Sequence, residues 1–495
     1  MSFMLGDRGR RWSESPAAVA GVVAGGALLA SVAVGWVVAV QPINGVFFIA
    51  IAGAIVLAGL TYRRPGVGLA VLILALPFYP YILARLQVWG VSPLVVAQMR
   101  YWKELVLVVL VLRAVRNRYP FDSRIDRVAI GVMVVTTVFA VFPIGPADTY
   151  SRVLAARQIA AAILLFMAVR HLDLSPRAVS FIQTGLVVAG VVLSLFAFWN
   201  HFAPEDWTSF VRNSGLAAYQ HSAVESSVTV VVDRGTLAGQ EYIRSGSLFL
   251  NPLSLGHFML IPIAVVLARG VASRPRAFDI LAGAICVAGL MTTLTRSAIV
   301  AVPLMVAIAV SGGLHRQRLA LGLFAVSLAL YPVAGSLGVG EQLQSGLDPT
   351  NTRTEGHVDA LQSDVQAMIS RPQGTGLATA GPQGERFGVE GHTIAESWFF
   401  QVGLETGLLG MVLYVSLLVM AMRELWARSK LGSSAATAAV CALSGLAFAG
   451  LVLHSFGDLH TAFAAWGLAG MALPVAMTAR AAKPAQAPAT ARSAA

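Results

Sequence analysis

Charge is scarce in this sequence, and that scarcity excludes most. Only 12% of the 495 residues are charged, against 57% hydrophobic, and the mean hydropathy is +0.73. Water-soluble domains carry roughly a quarter charged residues, so a string of soluble domains is excluded. Cysteine is nearly absent. Cys286 and Cys441 both lie inside apolar runs, which leaves no disulfide framework and no thiolate metal site. Glycine-rich phosphate loops, dinucleotide fingerprints, HExxH and GxSxG are missing too, so nothing points to ATP hydrolysis, a redox cofactor or a serine nucleophile. A cleavable leader is not expected, because the first apolar run, 16–40, is too long for a signal core and leads straight into a second.

What the chain does have is apolar length. Runs of about 17–25 residues, the length that spans a bilayer, lie near 16–40, 44–61, 66–84, 98–115, 127–144, 153–170, 178–201, 252–269, 277–294, 297–313, 317–336, 397–422, 434–453 and 461–479. The expected fold is all-α, a polytopic membrane helical bundle of about 14 transmembrane helices (12–14). Residues 1–480 then form a single membrane domain. The pairs 16–61 and 277–313 are joined so tightly that each reads as a helical hairpin.

Lys and Arg gather in cytoplasmic loops of membrane proteins. With the N-terminus inside, the segments 1–15, 62–65, 113–127, 170–177, 269–276, 314–318, 423–433 and 480–495 hold 23 of the 35 Lys and Arg. Both termini are therefore expected in the cytoplasm, and 481–495 is expected to be a disordered tail. The net charge of +11 follows from this siding and needs no nucleic acid. The same siding puts two large loops, 202–251 and 337–396, on the extracytoplasmic face, together with the shorter turns 85–97, 145–152, 295–296 and 454–460.

Residues 337–396 form the longest polar stretch, and long loops of this kind tend to be functional. A helix is expected over 355–371, with Val358, Leu361, Val365, Met368 and Ile369 on one face, Thr354 able to cap it and Pro372 ending it. It either packs on the loop's own core or lies over the mouth of a cavity at the interface. Nucleotide sugars are cytoplasmic, so chemistry on the outer face needs a donor that has crossed the membrane already activated. Lipid-pyrophosphate carriers meet that need.

Arginine binds phosphate with two prongs and stays charged. Arg244 stands in RSGSLFLNP where the outer loop re-enters the membrane, and Arg296 is the single charge between two helices in TTLTRSAIV. A lone arginine at such a tip also snorkels to the interface, so both readings stand for Arg296. Arg353 and Arg371 in the long loop, and Arg100, Lys103, Arg152 and Arg157 at outer helix ends, could add to a phosphate-binding surface. His392 and Glu396 are four residues apart; on a helical turn they would share a face, an arrangement suited to a general base, while the plainer reading is capping by Glu396. His454, Asp458 and His460 crowd one outer turn, read as an ordinary polar turn rather than a metal site.

In order, RSGSLFLNPLSLGHFM, TTLTRSAIVAV, RTEGHVDALQSDVQAMISRPQGTGLATAG and ESWFFQVGLETGLLGMVLYV resemble the O-antigen ligase/O-antigen polymerase superfamily over about 240–425. The resemblance implies an integral-membrane glycosyltransferase of the GT-C type in a bacterial inner membrane. It implies transfer of a glycan from an undecaprenyl (polyprenyl) pyrophosphate carrier to an acceptor polysaccharide or glycolipid, with inversion and without metal or other cofactor. Arg244 and Arg296 correspond to pyrophosphate-binding arginines. One departure stands out: where the ligases carry a His-Asn pair before the E-x-G element, this chain has Glu396-Ser397, with His392 upstream. Polymerase and ligase both fit. A transporter or flippase for an anionic lipid or small anion is the competing class, but it would put charges at helix midpoints, and here they stay at helix ends.

Overall fold

The computed structural model describes residues 42–117, 121–219, 233–237, 240–273, 276–312, 352–386 and 388–475. The expected spans 16–40 and 317–336 and the tail 481–495 lie outside the described residues, as do 337–351 of the long loop and 220–232 of the other. The rest is almost entirely helical. The helices are α1 (Pro42–Arg63), α2 (Pro65–Ala75), α3 (Tyr79–Val88), α4 (Pro93–Met99), α5 (Trp102–Arg116), α6 (Arg124–Val141), α7 (Thr149–Arg170), α8 (Pro176–Phe202) and α9 (Pro204–Asn213). After a hairpin of β1 (Asp233–Leu237) and β2 (Gln240–Arg244) come α10 (Pro252–Ala272), α11 (Ala277–Thr293), α12 (Arg296–Gly312), α13 (Thr352–Ser370), α14 (Pro382–Arg386), α15 (Trp398–Lys430), α16 (Ser434–Gly450) and α17 (Leu459–Ala472).

Among the described residues, four helices are long and apolar enough to cross a membrane: α7, α8, α10 and α15. A fifth candidate is α2 with α3, which meet at a 72° bend. Pro77 sits in the break and Pro80 follows it; proline lacks the N–H a helix needs and clashes with the carbonyl four residues back. The remaining apolar helices, such as α11, α12 and α16, are shorter. Many large apolar side chains point away from the protein. Leu112, Phe181, Leu195, Leu281 and Leu409 are each more than half exposed, as expected of surfaces that meet lipid. The chain is an integral membrane protein.

The bundle is centred on α10, which packs against α8, α11, α12, α16 and α17. Without a hydrophobic drive between helices in lipid, close approach through small residues does the packing. Gly190 of α8 lies against Pro262 of α10 and Cys286 of α11, and Gly289 of α11 lies against Ser194; a Cβ at either would be within 3 Å of its neighbour. A second packed layer is aromatic. Trp466 of α17 contacts Phe166 of α7, with centroids 5.1 Å apart, and Tyr414 of α15 touches Trp398, Phe456 and Trp466.

The expected helix over 355–371 is α13, and it ends just before Pro372. Its packed face differs from the expected one. Leu361, Asp364, Ala367 and Met368 turn inward, while Val365 and Ile369 are exposed. The reason is a polar one: Asp364 Oδ2 accepts the Glu396 N–H at 3.1 Å, which fixes the helix's rotation.

The longest helix is interrupted. Gly407 has φ 76°, ψ 172° inside α15, a backbone state that L-residues rarely adopt. The loop after α13 fills the gap: Leu408 N–H donates to Pro372 O at 2.8 Å and Thr375 N–H donates to Leu404 O at 2.7 Å. A Cβ at Gly407 would stand 2.7 Å from Gln373 O and 2.9 Å from Pro372 O. Gly407→Ala is expected to destabilise the protein by about 1–3 kcal/mol. Thermal melting of the purified protein in detergent checks this; an unchanged melting temperature would mean that the loop is not anchored here.

Candidate functional site

At the 72° break, several segments enclose a cavity of about 240 Å³. The break contributes Tyr79 and Pro80. Lys103 comes from the start of α5, Arg157 and Gln158 from α7, Asn251 from the turn before α10, Gln383 and Arg386 from α14, Asp458 from the turn before α17 and His460 from the first turn of α17.

Each polar wall has a local cause. Lys103 is 3% exposed; its Nζ donates to Arg100 O at 2.6 Å and lies 5.1 Å from the Tyr79 ring centre. Glu104 then takes two cations, Arg157 Nη1 at 2.9 Å and Lys103 Nζ at 3.6 Å. Gln158 Nε2 donates to Gly457 O at 2.8 Å, which leaves its Oε1 buried with no partner among the described residues. Gln383 Oε1 and His460 Nε2 are in the same condition, and the His460 ring stacks on Phe249 at 4.1 Å. Asn251 caps α10 through Oδ1, which accepts from Leu253 N–H at 2.9 Å and Ser254 N–H at 3.4 Å. The lining thus holds three cations, Lys103, Arg157 and Arg386, and one carboxylate, Asp458, with Glu104 pairing Lys103 and Arg157 from behind. Cationic donors beside open amide oxygens suit an anion that carries hydroxyl groups.

A second polar cluster stands on the other side of the 454–460 turn. Burial lifts the Asp364 carboxyl to about 6; the bond from Glu396 N–H pulls it down and the Glu396 carboxylate pushes it back up. His454 accompanies Glu396, and its proton affinity is lowered by burial and partly restored by Glu396, the Ala395 carbonyl and Asp458. The turn is tied to this cluster by Trp398 N–H to Leu453 O at 3.3 Å and Ser397 Oγ to Gly450 O at 2.9 Å.

The residues singled out in the sequence fall into three groups. Arg244 and Arg296 are brought to one place, because Ser245 N–H donates to Thr292 O at 2.9 Å at the tip of the α11–α12 hairpin. Arg244 is engaged by Asp233 Oδ2 at 3.0 Å and Thr293 O at 3.3 Å, and Arg296 is half-buried at the start of α12. Arg353 lies in the first turn of α13, its side chain outside the described residues, and Arg371 is exposed beyond the end of that helix. Arg152 bonds to Phe142 O at the end of α6 and to Thr149 in the first turn of its own helix.

His392 and Glu396 do not share a helical face, since 388–397 is irregular and α15 begins at Trp398 with Ser397 as its cap. The chain cannot be helical there because Thr393 is occupied in an extended pairing: its N–H donates to Thr379 O and its carbonyl accepts from Gly381 N–H. His392 turns back on its own turn, Nδ1 3.0 Å from Val389 O, beneath the α14 segment that presents Gln383 and Arg386. Glu396 joins Asp364 and His454 instead. Arg386 and Gln383 escaped notice in the sequence, where GPQGER reads as a turn. Pro382, well suited to the first position of a helix, with Gln383 and Arg386 three residues apart after it, was the available signal.

The stretch that carries α11, α12, α13 and α14 up to Tyr414 of α15 has a family assignment. Residues 281–415 match the family model described as O-antigen ligase. The similarity covers about a quarter of the chain's 495 residues. No curated protein matches the chain, and no solved structure does. The matched stretch contains Arg296, Arg353, Arg371, Arg386, His392 and Glu396; Lys103, Arg157, Arg244 and His454 come from outside it. The cavity is therefore assembled between this stretch and the helices around it.

Asn251 gives a local test. Asn251→Ala should lower stability by about 0.5–2 kcal/mol through the lost cap, while Asn251→Asp should hold close to the native value. Melting curves of the two variants compare them directly, and equal losses would show that the cap is not what Asn251 supplies.

Proposed function

We propose that the protein transfers a glycan from a polyprenyl pyrophosphate carrier to an acceptor glycan on the extracytoplasmic face, as a polymerase or ligase of polysaccharide. The observation that carries this reading is a cation-walled cavity completed by the stretch that matches the O-antigen ligase family, at a break in an apolar helix pair. The family match favours an enzyme over a transporter.

The chemistry follows from the wall. In a single displacement an acceptor hydroxyl attacks the anomeric carbon as the bond to the pyrophosphate breaks, which inverts that centre. Negative charge grows on the leaving pyrophosphate, and fixed cations aimed at growing charge are the strongest electrostatic help a site can give. Lys103, Arg157 and Arg386 fill that role at the cavity. Arg244 and Arg296 form a second cationic point beside it, and Arg353 and Arg371 supply charge along the loop. The open amide oxygens of Gln158 and Gln383 suit sugar hydroxyls. The reading carries with it a bundle of about fourteen spans with both termini in the cytoplasm, the cavity opening outward.

Two tests follow. Purified protein given a polyprenyl-pyrophosphate-linked oligosaccharide should make longer chains if it is a polymerase, and should act only with a separate acceptor if it is a ligase. No product in either case would overturn the reading. In the same assay Arg386→Ala and Lys103→Met should each weaken donor binding by about 10- to 100-fold, the worth of one charged hydrogen bond. For topology, a reporter fused at residue 360 should be active only outside the cytoplasm and one at 427 only inside. A cytoplasmic signal at 360 would put the cavity on the wrong face for a flipped lipid carrier.

A further inference from the structure

Helical spacing divides α13 into three strips. Leu361, Asp364, Ala367 and Met368 turn inward, and Ala367 and Met368 pack against Ala380, Ala395 and Leu404. Ser363, Gln366 and Ser370 form an exposed polar strip on the far side. Between the two runs a strip that is apolar yet uncovered: Val365 and Ile369, the latter 72% exposed. One exposed isoleucine needs no explanation by itself. The place where this one stands gives it a partner.

The end of α13 is fixed at the level where α15 meets lipid. Met368 lies against Gly403, four residues before the break at Gly407. Leu408 N–H donates to Pro372 O at 2.8 Å, and Leu408 and Leu409, the first residues after the break, are both exposed, Leu409 at 63%. Helix α6 reaches the same level from the other direction. Gly131 stands by Leu413 and Val135 by Gly410, so the two helices run antiparallel and the end of α6 rises to the break. There Val141 and Phe142 are exposed, as is Tyr150 in the first turn of α7. The turn between α6 and α7 is pressed against the loop that follows α13: Gly145 sits on Thr375 O and Gly376 on Ile144 O, with no room for a side chain on either glycine. The exposed strip of α13 thus ends in a rim of exposed apolar residues from α6 and α15, the second of which faces lipid below it.

We propose that α13 is an interfacial helix, with the Val365–Ile369 strip resting in the acyl-chain margin of the bilayer and the Ser363–Gln366 strip in water. Helices that lie in a membrane surface bury one apolar face about 5–10 Å into the headgroup boundary, and an exposed tyrosine beside them suits that depth. The bilayer then completes the seating of a helix whose inner face already holds the Glu396 main chain through Asp364 and whose far end leads to Gln383 and Arg386. The inference goes beyond glycan transfer and stands or falls without it.

The test places one nitroxide spin label at a time on the full-length protein, through Val365→Cys, Ile369→Cys, Ser363→Cys and Gln366→Cys, in vesicles of phosphatidylethanolamine and phosphatidylglycerol. Cys286 and Cys441 are buried, so the introduced thiol takes the label. Leu409→Cys is the reference in lipid. Collision with oxygen, which concentrates in acyl chains, is compared with collision with a water-soluble nickel chelate. The oxygen-to-nickel ratio at 365 and 369 should approach that at 409 and lie several-fold above the ratio at 363 and 366. Equal ratios at all four α13 positions would put the strip in water and overturn the proposal. Labels at 365 and 369 that meet neither reagent would mean that protein covers the strip, and spin–spin broadening there would name a second copy of the chain; either result overturns it. No glycan donor is present, so these outcomes leave the transfer reading to its own assay.

Discussion

Within a bilayer a main-chain N–H or C=O has no water to turn to, and each one left unpaired costs several kcal/mol. That constraint, met at Gly407, organises the functional end of this protein. The glycine breaks the α15 ladder, and the freed groups are taken up by Pro372 and Thr375 of the loop that precedes it in sequence. Glu405 adds a side-chain tie, its Oε1 3.4 Å from Ala380 N–H. A polar segment is thereby stitched into an apolar helix by bonds it cannot give up.

Everything nearer the cavity hangs from that stitch. The paired strand at Thr379–Gly381 and Thr393 leads on one side into α14, which carries Gln383 and Arg386, and on the other toward Glu396 and the capped start of α15. The hydrogen bonds from Trp398 and Ser397 then fasten α15 to the end of α16 and so to the turn holding His454. Lipid-facing order and polar chemistry share one scaffold.

Much of this was legible in the sequence. Apolar length marked the helices: the expected spans inside the described residues overlap helices, except that 66–84 is two, α2 and α3, meeting at a 72° bend, and four helices are long enough to count as full spans by length and composition. Pro77 and Pro80 were visible, but a proline does not say how far two halves will bend. The helix over 355–371 was legible from its period. Its rotation was not, because an aspartate on the polar face bonded a distant main-chain group and outweighed Val365 and Ile369. The cations were harder. Arg244 and Arg296 stand out because they are isolated among apolar residues, whereas Arg386 hides in an ordinary-looking turn, and only the fold sets it opposite Lys103 and Arg157.

The ion pair between Arg244 and Asp233 sets a threshold. An anion seeking both prongs of that guanidinium must displace a carboxylate already in place across the hairpin. A singly charged competitor gains little, since it replaces one minus charge by another. A group with two or more negative charges and several acceptor oxygens comes out ahead. If Arg244 takes the carrier's pyrophosphate, as proposed, Asp233 works as an internal reference anion that favours groups of higher charge.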